Sequence, residues 1–267
     1  MRELRRRVRA GEKIAMLTCY DATTARWLYR GGVDVMLVGD TAGSMVLGFD
    51  DTIHAPLEFM LTITAAVKRG AAGAFVMGDM PFMSYHADDT EAIRNAGRFM
   101  TEGTADAVKL EVDERFVGLV AKLDRASVPV VAHIGWRPQR TPRTGVPVVA
   151  GRTREKIKAM VELAKRLQDA GAAMLLIEQA TAEAARAVID AVGSDSGGGG
   201  LPVLGCGAGP DCHGHVVVLH DWLGMTDWQP SFAPPAANGG QSVAAMAQRW
   251  VEPVSYTHLT LPTIYSV

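Results

Sequence analysis

Cysteine is scarce: 267 residues hold three, Cys19, Cys206 and Cys212, an odd number at spacings that form no disulfide framework. That excludes a cystine-stapled scaffold and suits a reducing compartment, so the expected location is the cytoplasm. Long apolar runs are also missing. No stretch approaches the roughly 20 residues needed to cross a bilayer, and no membrane partner is expected. Charge of neither sign dominates. With 27 Lys and Arg against 29 Asp and Glu, the net charge of −2 leaves no basic footprint for nucleic acid. The opening MRELRRRVRAGEK is locally basic, but it carries Glu3 and Glu12 and leads into no apolar segment. It reads as a short solvated helix, not as a transit peptide or a nucleic-acid arm.

What is present is a core. Hydrophobic residues make up 48% of the chain, enough for an ordinary globular protein with a sizeable interior. Short apolar runs recur and read as strands at 14–19, 33–39, 73–78, 106–111, 128–134, 173–178 and 202–207, with a weaker eighth at 216–224. Amphipathic stretches lie between them. In TREKIKAMVELAKRLQDAGA, residues Ile157, Met160, Val161, Ala164 and Leu167 fall on one helical face. Strands apolar on both faces and alternating with helices predict a parallel sheet covered by helices. A (β/α)8 TIM barrel with a short N-terminal helix is the most economical closure, and an open doubly wound sheet is second. No break in composition divides the core, so 1–253 is read as one catalytic domain. The glycine-rich 193–200 is a flexible loop within it. The segment 135–152 is too long for a simple connection, and such loops are often functional lids.

The strand ends carry charge. Run two ends at Asp40, run three at Asp79, run four at Glu111 and run six at Glu178, while run five bears His133 near its end. Singly, an acid after a strand is an ordinary helix cap. Four acids at one topological position are different, because the strand ends of a barrel converge on one mouth. Carboxylates gathered there repel one another unless a cation joins them, and hard divalent cations take oxygen ligands. Lys109 stands two residues before Glu111, so the two side chains share a strand face. In a barrel that face is the lumen, where the lysine would meet a substrate carboxylate or a developing enolate oxygen. On a misassigned edge strand it would merely be solvated.

The blocks VMLVGDTAGSMVLGFDDT, DMPFMSY, VKLE, VVAHIGWRPQ and GCGAG, in this order between about Lys13 and Glu252, resemble the ketopantoate hydroxymethyltransferase family. That family is related to the phosphoenolpyruvate mutase and isocitrate lyase superfamily. The resemblance implies a (β/α)8 barrel, a homo-oligomer (typically a decamer) and one Mg2+ per subunit. It further implies transfer of a hydroxymethyl group from 5,10-methylenetetrahydrofolate to 3-methyl-2-oxobutanoate, giving 2-dehydropantoate. By position, Asp40, Asp79 and Glu111 match the family's metal-site acids. Asp40, Thr41, Asp79 and Lys109 fall where the keto acid is held, and Glu178 matches the catalytic base. The chemistry is coherent: a metal-bound keto acid has a polarised carbonyl and a stabilised enolate, and a partly desolvated carboxylate is the better base.

The sequence also departs from the family. Thr41 stands where serine is usual, Thr62 and Ile63 where a tyrosine–histidine pair is common, and His213, Gly214 and His215 where Asp-Gly-Gln often follows the glycine run. Cys206, Cys212, His213, His215 and His220 fit no standard zinc spacing. Residues 254–267, VSYTHLTLPTIYSV, lack Asp, Glu, Lys and Arg and replace the family's usual ending, so they read as a non-native or disordered tail. Two alternatives stand beside the transferase. One is a Mg-dependent lyase or mutase of the same superfamily, disfavoured by the absence of a KKCGH-like stretch. The other is a non-catalytic paralogue, disfavoured because Asp40, Asp79, Lys109, Glu111 and Glu178 persist together.

Overall fold

Eight short strands close into a parallel barrel in the computed structural model, which describes residues 1–145, 148–193, 200–228, 230, 232, 235 and 237–256. They are β1 (Ile14–Thr18), β2 (Val35–Val38), β3 (Phe75–Asp79), β4 (Ala107–Glu111), β5 (Val130–Gly135), β6 (Met174–Glu178), β7 (Val203–Cys206) and β8 (Gly214–Val217). Each pairs with the next, and β8 returns to β1, where Ile14 faces Gly214. The helices are α1 (Arg2–Arg9), α2 (Ala22–Arg30), α3 (Ala42–Met45), α4 (Leu57–Gly70), α5 (Asp89–Thr101), α6 (Val117–Arg125), α7 (Thr141–Thr144), α8 (Arg154–Asp169) and α9 (Ala182–Val188). Among the described residues, β7 and β8 are joined without a helix.

The expected barrel and its short N-terminal helix are both present, and the first seven strands sit within the expected runs to within a residue or two. The eighth does not. It runs over Gly214–Val217, and Leu219–Trp222, part of the expected strand, is helical instead (α10). The reason is local: His213 and Gly214 continue the ladder, since His213 N–H donates to Val203 O at 2.8 Å. Gly214 is needed there, because a Cβ would collide with the Ile14 carbonyl oxygen.

Local chemistry sets the helix starts. Asp21 and Asp88 accept backbone N–H bonds at the heads of α2 and α5, and Thr153 does so for α8. Helix α8 buries Leu163, Ala164 and Leu167, with Met160 and Val161 partly covered, on the face that the periodicity predicts. Two apolar layers result. The outer one lies between strands and helices and includes Met36, Val76, Val108, Ala132, Leu175 and Val203. The inner one fills the lumen with Ile14, Met16, Val35, Met77, Val131 and Leu176, and Leu4 of α1 packs into it. Arg7 of α1 pairs with Asp34, whose other oxygen accepts from Ala15 N–H at 2.9 Å.

The chain falls into two compact units, Met1–Val218 and the part from Leu219 onward. In the second, α10 is followed by α11 (Gly239–Tyr256), and Gly239 N–H donates to Leu223 O at 2.6 Å. Residues 194–199 of the glycine-rich stretch and 257–267 of the expected tail lie outside the described residues, whereas 254–256 continue α11. No helix among the described residues is long and apolar enough to cross a membrane.

Candidate active site at the barrel mouth

Alternation along the strands decides which side chains enter the barrel. On four strands the lumen series begins apolar and ends polar. In β3 it runs Phe75, Met77, Asp79; in β4, Ala107, Lys109, Glu111; in β5, Val131, His133; and in β6, Met174, Leu176, Glu178. A hydrophobic floor thus gives way to a charged layer at the C-terminal ends, where barrels of this kind carry their sites. Register places Asp79 beside Lys109, and Glu111 beside His133. Asp40 lies two residues past β2, and its backbone N–H donates to Asp79 Oδ2 at 3.1 Å.

The layer is tightly charged and nearly dry. Asp40, Asp79, Lys109, Glu111 and His133 are all buried, while Glu178 keeps 24% of its side chain exposed. Lys109 Nζ lies 2.8 Å from Asp79 Oδ2. Burial opposes the ammonium, but Asp79, Asp40 and Glu111 around it outweigh that and hold its pKa above the ordinary lysine value. For Asp79, burial raises the pKa, Lys109 opposes the rise and Asp40 reinforces it, with a net upward shift. Glu111 is likewise pushed well up, by burial and then by Asp40. His133 is pushed down by burial and by Lys109, which favours the neutral ring. Its Nε2 lies 3.3 Å from Glu178 Oε2 without hydrogen-bond geometry, so both ring nitrogens are buried and without a hydrogen-bond partner.

Asp79 Oδ2 is fully used by Lys109 and Asp40, yet Oδ1 is buried with no hydrogen-bond partner. An orphaned carboxylate oxygen among buried like charges suits a hard divalent cation. Among the described residues, no three of His, Cys, Asp and Glu stand as a ready-made metal cage. Two aspartates are as many carboxylates as Mg2+ usually asks of a protein, so the donor set fits that ion. Glu111, expected as a third ligand, has both oxygens at 3.2 Å from the backbone N–H of Gln139.

Thr41 heads α3, and its Oγ1 lies 2.7 Å from the Tyr20 hydroxyl at the end of β1. Glu178 is fixed through its backbone. Trp136 N–H donates to Glu178 O at 2.8 Å, and a Cβ on Gly135 (φ +94°) would collide with that oxygen. The next residue, Gln179, is left-handed at φ +46° and donates its N–H to Cys206 O at 2.8 Å. A non-glycine residue in that conformation is the kind of strain that collects at functional sites.

The structure therefore brings together Asp40, Asp79, Lys109, Glu111 and Glu178, with Thr41 adjoining Asp40. Sequence reading missed Gln139 and Tyr85. Gln139 lies on a 3-10 turn, Pro138–Arg140, inside the long 135–152 connection, which also holds α7. Its length and the block VVAHIGWRPQ marked that connection, but nothing gave its glutamine a role. At the rim, Arg115, Arg137 and Arg140 all reach Asp113 within 2.8–3.1 Å. These residues line a cavity of about 320 Å3 together with Tyr85 and Glu111. The histidines and cysteines of 206–215 form no metal cluster among the described residues, and His213 Nδ1 accepts from Val203 N–H at 3.0 Å.

Fold and site define a (β/α)8 barrel whose mouth gathers one lysine and several carboxylates. The model of the family described as ketopantoate hydroxymethyltransferase matches residues 1–259. The 3-methyl-2-oxobutanoate hydroxymethyltransferase of Anaeromyxobacter sp. (strain Fw109-5) is 41% identical over 254 residues, covering 93% of this chain and 81% of that protein. The enzyme of the same name from Thermotoga maritima is 41% identical over 234 residues, covering 87% and 84%. The chain belongs to the ketopantoate hydroxymethyltransferase family and is an enzyme of the transferase class. Among solved structures, a putative phosphonomutase from Burkholderia cenocepacia aligns at TM-score 0.66 and 16% identity over 93% of this chain and 98% of that one. A 2,3-dimethylmalate lyase of the PEP mutase/isocitrate lyase superfamily aligns at 0.60 and 18%, over 99% and 91%. At such identities the likeness concerns the fold alone.

Proposed function

We propose that this enzyme transfers a hydroxymethyl group from 5,10-methylenetetrahydrofolate to 3-methyl-2-oxobutanoate, giving 2-dehydropantoate. The acceptor is the one in the names of the relatives. The observation that carries the reading is that one mouth holds a half-buried carboxylate, Glu178, and a buried, charged Lys109 amid Asp40, Asp79 and Glu111. Lys109 receives the keto acid and the negative charge that develops on its oxygen. Asp40, Thr41 and Asp79 border the same space. Glu178 takes the C3 proton, the C–H electron pair moves toward the carbonyl oxygen, and C3 then bonds to the donor's one-carbon unit. One water supplies the new hydroxyl, and both C–N bonds to the one-carbon unit break. The proton taken by Glu178 and the water's other proton end on the two folate nitrogens as tetrahydrofolate leaves. Magnesium, one ion per subunit on Asp40 and Asp79 with Glu111 beside it, would supply a Lewis acid that polarises the keto group. A cytoplasmic homo-oligomer is part of this reading.

The test separates the half-reactions. In D2O with Mg2+ and 3-methyl-2-oxobutanoate alone, C3 deuteration by NMR is expected; adding the folate donor should then yield 2-dehydropantoate. Exchange without product would overturn the transfer, and no exchange at all would overturn the enolate chemistry.

A further inference from the structure

We infer that Gln139 is a positioning residue that holds Asp40 in its metal-binding orientation, an inference that rests on the magnesium reading above. One buried residue, reaching in from the 135–152 connection, joins the ends of three strands through its side chain and its backbone N–H. Its Nε2 donates to Asp40 Oδ2 at 2.8 Å and to Met80 O at 3.0 Å. Its Oε1 accepts from the Tyr85 hydroxyl at 2.9 Å, and its backbone N–H faces both Glu111 oxygens. At 2% exposure, it has no competing water surface.

The surroundings settle which way the amide points. Asp40 Oδ2 and Met80 O are both acceptors and need both Nε2 protons. The Tyr85 hydroxyl accepts from Glu111 N–H at 3.1 Å, and its one proton faces Oε1 at 2.9 Å, the nearer acceptor, and Glu111 O at 3.2 Å. A flipped amide would set oxygen against two acceptors. The same reasoning makes glutamine specific: a glutamate at 139 would meet Asp40 and Met80 acceptor to acceptor, and a methionine would offer nothing. With Oδ2 tied to Gln139, rotation of the Asp40 carboxylate is stopped and Oδ1 has a fixed direction. Groups that orient metal ligands in this way typically cost 10–100-fold in metal affinity when changed.

The probe is Mn2+, with binding to the full chain followed by the EPR signal of the free ion. Alongside wild type go Gln139→Glu, Gln139→Met, Tyr85→Phe and, as control, Asp79→Asn, each with its melting temperature. Gln139→Glu should weaken Mn2+ by roughly 10–100-fold. Gln139→Met should weaken it less, and Tyr85→Phe, which removes the bond that anchors Oε1, should also weaken it. Melting temperatures separate a lost clamp from a lost fold, and Gln139→Met carries the test if Gln139→Glu does not fold. Wild-type Mn2+ affinity in a folded Gln139 variant overturns the role of Gln139 alone. Wild type that binds no Mn2+, or Asp79→Asn that binds it unchanged, overturns the metal reading, and the role of Gln139 falls with it.

Discussion

Lys109 and Asp79 lie side by side on β4 and β3, Nζ to Oδ2 2.8 Å, both shut away from solvent. Removing one member of such a pair strands the other charge, which costs roughly 3–5 kcal/mol. Lys109→Met should therefore lower stability by about that much in denaturant unfolding, and should abolish turnover. The double change Lys109→Met with Asp79→Leu should regain much of the stability and none of the activity. Full activity in either variant would remove Lys109 from the site.

Glu178 has a different task, and its loss should show in chemistry before binding. General-base catalysis contributes roughly a hundred- to ten-thousand-fold. Glu178→Gln should slow C3 deuteration by a factor in that range while the keto acid still binds within a few-fold. Exchange at the wild-type rate would exclude Glu178 as the base.

Thr41 tests the departure from the family's serine. Its hydroxyl meets Tyr20 at 2.7 Å, so Thr41→Ser keeps the polar contact and removes a methyl. The expected outcome is a rate at or above wild type. Thr41→Val keeps the shape and loses the hydroxyl, a change of about 1 kcal/mol, or roughly a fivefold fall in kcat/KM. A valine variant as active as wild type would show that this hydroxyl does not serve the reaction.

His86 links the loop after β3 to pH. Burial, and then the charge of Arg115, lowers its pKa from 6.5 to about 4. The ring packs among Phe82, Tyr85 and Phe116. The unfolded chain binds this proton more readily than the folded one, so the stability contributed by neutral His86 is present above about pH 6.5 and is lost as pH falls toward 4. Melting temperature against pH should fall across that window, and His86→Phe should flatten the fall. An identical slope in the variant would assign the effect elsewhere.

Much of this layout is legible in the sequence alone. Seven strands announced themselves as unbroken apolar runs, because a parallel sheet buries both faces. The parity of Lys109 and Glu111 followed from the strand period alone, and that of Asp79 and Glu178 from their strand ends. The eighth strand hid because its ladder begins with His213 and Gly214, residues that do not look like a strand. Gln139 and Tyr85 close two of the family-like blocks, but their roles were hidden for another reason. Gln139 meets Asp40 across 99 residues of sequence and Tyr85 meets Glu111 across 26, and no local pattern encodes such meetings. Thr41's bond to Tyr20 belongs to the same class.

The shared parity of floor and mouth also constrains how the gene can change. Met77 with Asp79, and Ala107 with Lys109 and Glu111, ride on one face of each strand, so packing and chemistry obey a single reading frame. Loss of one residue within β4 would act in space as a frameshift does in translation. It would turn Lys109 and Glu111 toward the helices and bring Val108 and Leu110 into the lumen. Point substitutions can tune this mouth, but insertions and deletions are confined to the loops that frame it.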